Sequence, residues 1–409
     1  MVQYSHTVHT LGEYCMELKR IQQALRAEKL DGWLFFDFRK SNPVAYRVLS
    51  LSRDEMYTRR WFYYVPREGL ATAVVSAVEP HVLRTLPGNR LFFRSWQELH
   101  TQLRSLLKPE QCVAMEYSPL NAIPSMSCVD AGTLELISSF GVDVVSSANL
   151  AQRFVAQLTA EQLESHRTAG RLLIAAKDQL FSELSNDLRQ GLSLDEYRVQ
   201  RRFVELIKKT GLQLDESPLV AVNRNASNPH YVPTATSHSP IQRGDLVLFD
   251  FWAHLPQPNA IFADYTWMAF VGTQAEIPAE QRSVFELVRS ARDAGIAFTR
   301  ERLQAGERVQ GRQVDDVVRS FIAGAGYGGY FIHRTGHSID TAEHGDGANL
   351  DNFETHDTRL LLPDTCCSIE PGIYLPEFGI RSEVNLLLLS HDVEVTGVPV
   401  QQAIVPLLS

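Results

Sequence analysis

The sequence lacks long hydrophobic runs, a basic excess and a regular cysteine pattern. No stretch approaches the roughly 18 apolar residues that a membrane helix needs, so no membrane association is expected. The formal net charge of −9 argues against nucleic acid as a partner. The cysteines are odd in number and irregularly spaced, which argues against a disulfide framework. They are Cys15, Cys112, Cys128, Cys366 and Cys367.

The N-terminal stretch MVQYSHTVHTLGEYCMELKR is polar and lacks the apolar core of a secretory signal. Together with the cysteine pattern, it predicts a cytoplasmic protein. Internal repeats and low-complexity tracts are also lacking, while 44% hydrophobic and 21% charged residues are typical of a globular chain.

The length of 409 residues exceeds one ordinary core, so two domains are expected. Residues 1–157 alternate helix-like and strand-like segments, which predicts an α/β domain, and no cluster of histidines and acids marks it as catalytic. Near residues 155–158 the pattern changes to long amphipathic helices followed by strands. Residues 158–409 are therefore predicted to form an α+β domain with helices packed on a curved, mostly antiparallel sheet.

Apolar spacing predicts the elements of this second domain. Helices are expected at 160–187, 194–210, 279–304 and 312–323. Strands are expected in PLVAV, DLVLFDFWAHL and ADYTWMAFVG, and at 331–336, 365–374, 379–390 and 400–407.

Five ionisable residues lie in or beside apolar, strand-like runs: Asp250, Asp264, His337, Glu370 and Glu383. Burying one lone carboxylate shifts its pKa or costs several kcal/mol. Burying four together is favourable only if cations neutralise them. Four carboxylates and one imidazole suit two divalent metals with shared ligands, which indicates metal-assisted hydrolysis.

Strand alternation refines this set. Asp250 in LVLFDFWA and Asp264 on the next strand would lie side by side if the two strands pair antiparallel. In the strand of Glu383, alternation places Arg381, Glu383 and Asn385 on one face.

Several histidines accompany the acids. His333 and His337 are spaced as in a helical zinc pair, but the segment HRTGH contains glycine and no glutamate, so a loop or strand is expected. His344 follows, and His230 lies in NPHY. Gly324, Gly326 and Gly329 match G-x-G-x-x-G but follow a helix pattern, so helix termination explains them better than a nucleotide site.

The order Asp, Asp, His, Glu, Glu, with HRTGH, SIEPGIY and GIRSEVN around the last three, resembles the M24 metallopeptidases. This group includes methionine aminopeptidase, aminopeptidase P and prolidase, with the pita-bread fold. The catalytic resemblance covers residues 160–409. Residues 1–157 resemble the creatinase-type domain of aminopeptidase P and prolidase, which implies an Xaa-Pro peptidase and a homodimer.

The resemblance also implies roles. Asp250, Asp264, His337, Glu370 and Glu383 would hold two divalent metals, with Asp264 and Glu383 bridging them. Oxygen ligands favour Mn²⁺, with Zn²⁺ or Co²⁺ as substitutes. Glu370 would carry a proton from water to the leaving proline nitrogen. His230, His333 and His344 would lie near the substrate, with His344 donating to the oxyanion, and Arg381 would help to hold the site.

The sequence departs from the family pattern at two positions expected to shape the pocket. Trp252 stands where the family has a small residue, and Trp267 stands where it has an arginine. Prolidase activity on dipeptides is the favoured interpretation, with Arg334 and His333 as candidates for binding the proline carboxylate. Aminopeptidase P activity on longer peptides, and a metal-dependent hydrolase or lyase of a non-peptide substrate, are the alternatives. A metal-free creatinase-like enzyme and a non-enzymatic binding protein are less consistent with five intact ligands.

Overall fold

The computed structural model describes residues 11–408, with side chains from residue 16 onward. The chain separates into two compact units, with the division between Val155 and Ala156. Residues 1–10 and the side chain of Cys15, which entered the predictions about secretion and disulfides, lie outside the described residues. No helix within 11–408 combines the length and apolarity needed to cross a bilayer.

The N-terminal unit is built on a mixed sheet. Its strands are β1 (Gly32–Asp37), β2 (Trp61–Pro66), β3 (Thr72–Ser76), β4 (Asn89–Phe93), β5 (Cys112–Met115) and β6 (Asp143–Ser146). Its helices are α1 (Leu11–Ala27), α2 (Pro43–Val48), α3 (Trp96–Leu106), α4 (Ala131–Ser138) and α5 (Ala148–Val155). The strand order is β4-β3-β2-β1-β5-β6. The central strand β1 is buried along its length, because Trp33 and Phe35 join one apolar core while Leu34 and Phe36 join another. Alternate residues thus serve opposite faces of the sheet.

The C-terminal unit combines long helices with two larger sheets. Its helices are α6 (Ala160–Arg189), α7 (Glu196–Lys209), α8 (Ala279–Gln304) and α9 (Gly311–Gly324). Its strands are β7 (Leu194–Asp195), β8 (Leu219–Val222), β9 (Pro240–Ile241), β10 (Leu246–Ala253), β11 (Ala263–Phe270), β12 (Ser338–Ile339), β13 (Thr365–Ile369), β14 (Gly372–Tyr374), β15 (Gly379–Arg381), β16 (Val384–Leu388), β17 (Val393–Thr396) and β18 (Val405–Pro406).

The larger sheets have the orders β18-β11-β10-β8 and β12-β13-β16-β17. Pairing within them is antiparallel except between β11 and β18. The predicted α+β class with mostly antiparallel pairing is confirmed, although hydrogen bonding divides the strands between two larger sheets and two two-stranded sheets, β14-β15 and β7-β9. The prediction that a helix precedes the G-x-G-x-x-G glycines is also confirmed, since α9 ends at Gly324.

Strands β10 and β11 separate two apolar cores. Leu248 and Met268 on one face pack with residues of α8 and α9. Phe249 and Tyr265 on the other face pack with residues of α6 and α7. Both strands are buried throughout, so any polar side chain on them lies in a largely apolar environment.

The strand predicted at 331–336 is wrong. The residues form a loop with a single antiparallel bridge, between Gly336 and Leu350, and side chains of α9 bind several of its backbone groups. Arg319 donates to the carbonyls of Phe331 and His333 at 3.0 and 2.8 Å. The buried Asp315 carboxylate accepts from the amide of Thr335 at 3.0 Å and from its hydroxyl at 2.6 Å. The strand predicted at 400–407 is reduced to β18, partly because the Gln401 side chain bonds the backbone of β11 in its place.

Replacing Asp315 with alanine is expected to destabilise the protein by about 3 kcal/mol, because it leaves the partner charge of Arg319 uncompensated and unties the loop at Thr335. Urea unfolding of the variant beside wild type measures the loss. The exposed Glu377, changed to alanine, is the control. A midpoint for Asp315→Ala equal to that of Glu377→Ala would contradict the assignment.

Candidate active site

A cavity of about 380 Å³ in the C-terminal unit brings together all the predicted metal ligands and catalytic residues. Its lining includes Asp250, Asp264, His337, Glu370, Glu383, His230, His333, His344 and Arg381. Further lining residues are Glu216, Leu219, Pro229, Val232, Trp252, Arg334, Glu343 and Glu354.

The register of β10 and β11 places two aspartates on the same face. Asp250 lies opposite Thr266, and Asp264 lies opposite Trp252, in antiparallel pairing. The aspartates are therefore diagonal neighbours, two positions apart on one face. The predicted antiparallel pairing of these two strands is confirmed.

Interruptions of two predicted strands present the glutamates. The segment predicted as one strand at 365–374 is divided into β13 and β14 around Glu370 and Pro371. The segment at 379–390 is divided into β15 and β16, with Glu383 in the gap. Glu370 is fixed by its own amide, which donates to the carbonyl of Thr335 at 2.8 Å. Both carboxylates thus lie at strand ends, where they turn into the cavity.

The tautomer of His337 leaves one ring nitrogen available. Nδ1 lies 3.1 Å from the carbonyl of Ser338, which can only accept a hydrogen bond, so Nδ1 carries the proton. Nε2 then presents a lone pair, 3.6 Å from Asp264 Oδ2 and 3.4 Å from Glu370 Oε1. A histidine held in this way through its second nitrogen is the arrangement typical of a metal ligand.

Asp264 and Glu383 carry the strongest sign of a metal site. Within the described chain, Asp264 Oδ1 and Glu383 Oε1 are buried and have no hydrogen-bond partner. Ligand atoms of Asp264, His337 and Glu383 lie within 4.8 Å of one another. Burial, and then the charges of neighbouring carboxylates, raises the pKa of both acids well above the ordinary range. Divalent cations would remove both penalties, so this donor set fits a metal centre.

A hydrogen-bond network links the remaining carboxylate to the others. Arg381 donates through its terminal nitrogen to Asp250 and through Nε to Thr266 Oγ1 at 2.9 Å. The Thr266 hydroxyl in turn reaches Asp250 Oδ1 at 3.1 Å and Glu383 Oε2 at 2.8 Å. Sequence reasoning missed Thr266 as a site residue, although alternation from Asp264 places it on the same face.

The three candidate histidines differ in their surroundings. Both ring nitrogens of His333 are engaged, Nδ1 by the carbonyl of Arg334 and Nε2 by the hydroxyl of Tyr374, each at 2.7 Å. Burial lowers the pKa of His333 below its ordinary value. His344 and His230 are exposed, and the His344 ring packs edge-on against His337 with centroids 4.3 Å apart. The structure thus leaves His344 and His230 free for a substrate, whereas His333 is held by protein groups.

The two tryptophans lie on opposite faces of the sheet. Trp252 lines the cavity, as its register with Asp264 requires. The expectation that Trp267 shapes the pocket is wrong. Trp267 belongs to the core beneath α6, where the ammonium of buried Lys177 lies 3.5 Å from its ring centroid.

Sequence reasoning also missed Glu343, which directly precedes His344 and lines the cavity. Burial, followed by repulsion from Asp250, raises the pKa of Glu343 to about 7.

Comparison with known proteins supports the same family. Residues 164–390 match metallopeptidase family M24. The chain is 31% identical over 250 residues to an Xaa-Pro dipeptidase of Lactobacillus helveticus, covering 60% of each protein. It is 32% identical over 185 residues to a putative Xaa-Pro aminopeptidase of Mycoplasma genitalium, covering 45% of this chain and 48% of that protein. The aligned region therefore spans about half to three fifths of the length of these curated relatives.

The fold has a counterpart among solved structures. Dipeptidase PepE from Mycobacterium ulcerans superposes with a TM-score of 0.66 and 20% identity, covering 97% of this chain and 99% of that one. At this identity the likeness shows the fold alone. The family match, in contrast, covers more than half of the 409 residues. The chain belongs to metallopeptidase family M24.

Proposed function

We propose that this protein is a two-metal exopeptidase that hydrolyses the Xaa-Pro bond of dipeptides. The observation that carries this proposal is the pair of buried carboxylate oxygens, on Asp264 and Glu383, that lack a partner within the described residues and share a cavity with the free nitrogen of His337. A binding protein or a metal-free enzyme would have no use for such an arrangement, because each unpaired buried acid costs stability.

Asp250, Asp264, His337, Glu370 and Glu383 would hold two divalent cations. When bound, the cations would polarise a carbonyl and lower the pKa of water to about 7, which supplies a nucleophile at neutral pH. Four of the five ligands are carboxylates, so the donor set favours Mn²⁺, with Zn²⁺ or Co²⁺ as alternatives. Arg381 and Thr266 would hold Asp250 and Glu383 in position through the network between them.

Glu370 is suited to carry the proton. Burial by itself would raise the pKa of Glu370, but neighbouring groups that include the Arg381 guanidinium lower it overall, which favours the ionised carboxylate that can accept a proton. Ser368 Oγ donates to Oε1 at 3.2 Å and orients the group. We assign Glu370 the transfer of a proton from water to the proline nitrogen, and His344 the donation of a hydrogen bond to the developing oxyanion.

Arg334 favours a dipeptide over a longer substrate. Its side chain lines the cavity, and no ion pair of its guanidinium is found in the part of the chain that the structure describes. His333, the other candidate for binding the proline carboxylate, has both ring nitrogens occupied. Arg334 is therefore the group that we assign to the free carboxylate of a dipeptide.

Replacing Arg334 with glutamine is expected to raise KM for Ala-Pro by about tenfold to a hundredfold, since a charge-assisted bond to the carboxylate is lost. The KM for Ala-Pro-Ala should change much less, because the free carboxylate of the tripeptide lies one residue beyond proline and so further from Arg334. Steady-state assays of both peptides with Mn²⁺ measure the difference. If the wild-type protein cleaves Ala-Pro-Ala but not Ala-Pro, the dipeptidase assignment is wrong and aminopeptidase P activity takes its place.

Cys112, Cys128, Cys366 and Cys367 are free thiols, which suits a cytoplasmic location. A homodimer and a creatinase-like N-terminal domain over residues 1–157 follow from the family resemblance. Trp252 in the cavity wall keeps a non-peptide substrate as the second candidate, and failure to cleave any Xaa-Pro peptide with Mn²⁺, Zn²⁺ or Co²⁺ would favour it.

A further inference from the structure

The cavity contains more negative charge than the proposed metal centre uses. Beyond the four carboxylates assigned to the metals, Glu216, Glu343 and Glu354 also line it. Glu354 is already committed, because it accepts a hydrogen bond from the amide of Arg334 at 2.8 Å. Glu216 and Glu343 remain as acids without an assigned role.

Glu343 faces the cavity without a strong partner. Among the described residues no hydrogen bond to its carboxylate is found. His344 Nε2 lies 3.7 Å away, but burial lowers the pKa of His344 to about 4, so the two groups form no ion pair at neutral pH. The Glu343 side chain is 28% exposed, which is accessible enough to meet a ligand yet partly shielded from water. Asp250 and Glu216 are close enough for their charges to act on it. This part of the wall would attract a cation.

Trp252 provides an independent sign of a ligand on the same wall. It is 6% exposed and lines the cavity, and its indole N–H has no hydrogen-bond partner within residues 11–408. Leu219 lies opposite Asp250 in the neighbouring strand and also lines the cavity. An indole and a leucine form an apolar surface along which the methylene stem of a long side chain can pack.

From this arrangement we infer that the site selects dipeptides with lysine or arginine before proline, with Trp252 along the stem and Glu343, assisted by Glu216, at the cationic head. The inference rests on the proposed function and names its substrate class. The indole packs against the methylene stem, and the carboxylate forms a charge-assisted hydrogen bond with the cationic head. The same wall would disfavour glutamate before proline by repulsion.

The test measures kcat/KM for Lys-Pro, Leu-Pro, Glu-Pro and Ala-Pro with the Mn²⁺-loaded, full-length protein. Lys-Pro is expected to exceed Leu-Pro by about tenfold, and Glu-Pro to be the poorest substrate. In Glu343→Gln the ratio of Lys-Pro to Leu-Pro should fall toward one. In Glu343→Lys the order of Lys-Pro and Glu-Pro should reverse. The exposed Glu377, changed to glutamine, is the matched control and should keep the wild-type ratio.

Three outcomes would overturn the inference, and they differ in what they leave standing. Equal cleavage of Lys-Pro and Leu-Pro by wild type would refute the selectivity and retain the Xaa-Pro peptidase. An equal loss for all four dipeptides in Glu343→Gln would place Glu343 at the common α-ammonium group instead of the side chain. Cleavage of none of them, with metal content verified, would refute the proposed function together with the inference.

Discussion

Glutamine in place of Glu370 is expected to lower kcat for Ala-Pro by about 10²–10⁴-fold, the range that a positioned proton carrier contributes. Glutamine keeps the shape of the side chain and can still accept the hydrogen bond from Ser368 Oγ. It cannot take a proton from water or deliver one to the leaving nitrogen. Steady-state kinetics with Mn²⁺ measure the loss, and thermal unfolding reports whether the fold persists.

The control for this variant is Glu377→Gln, which removes an equivalent charge from an exposed turn close in sequence. Metal content must be measured beside activity, because Glu370 is also assigned as a ligand. A large loss of kcat with metal content retained supports the proton-carrier role. Hydrolysis by Glu370→Gln at the wild-type rate would refute both that role and the catalytic assignment of the cavity.

The acids that line the cavity could be predicted from the sequence, because burying several carboxylates is unfavourable without cations. Period-two alternation also placed Asp250 and Asp264 on neighbouring strands facing the same side, as the register of β10 and β11 confirms. The same rule, applied one residue further, assigns Thr266 to the cavity and Trp267 to the opposite face. The error about Trp267 was therefore avoidable, since a shift of one residue reverses the face.

The strand interruptions at the glutamates were harder to predict. Pro371 follows Glu370 and has no amide hydrogen, so a break there had a local signal. The break before Glu383 has no such signal. It depends on α8, where the fully buried Arg292 donates to Ser382 Oγ at 2.6 Å. The contacts of Tyr374 with His333, and of Arg319 with the loop after α9, likewise depend on which elements meet in space, and periodicity does not contain that information.

Removal of divalent cations with EDTA is expected to abolish hydrolysis and to lower the melting temperature, with a stability loss that grows as the pH rises from 5 to 8. Asp264 and Glu383 in the metal-free fold have pKa values raised well above the ordinary ones of about 4, by burial first and then by neighbouring carboxylates. Below about pH 4 both the folded and the unfolded chain hold these protons. As the pH rises, the unfolded chain releases them first, so the metal-free fold loses stability until its own raised pKa values are passed.

Melting curves of metal-loaded and metal-free protein at several pH values test this expectation. The gap between the two forms should reach roughly 5 °C or more at pH 8, because uncompensated buried carboxylates cost several kcal/mol. Asp264→Asn and Glu383→Gln keep the size of the side chains and remove the charge. Each substitution should flatten the pH dependence of the melting temperature of the metal-free protein and should weaken metal binding. A purely structural acid would not produce both effects. Identical melting temperatures with and without metal at every pH would show that the cavity does not need cations. The buried carboxylates would then require neutralisation by protons alone, which is incompatible with a two-metal hydrolase working at neutral pH.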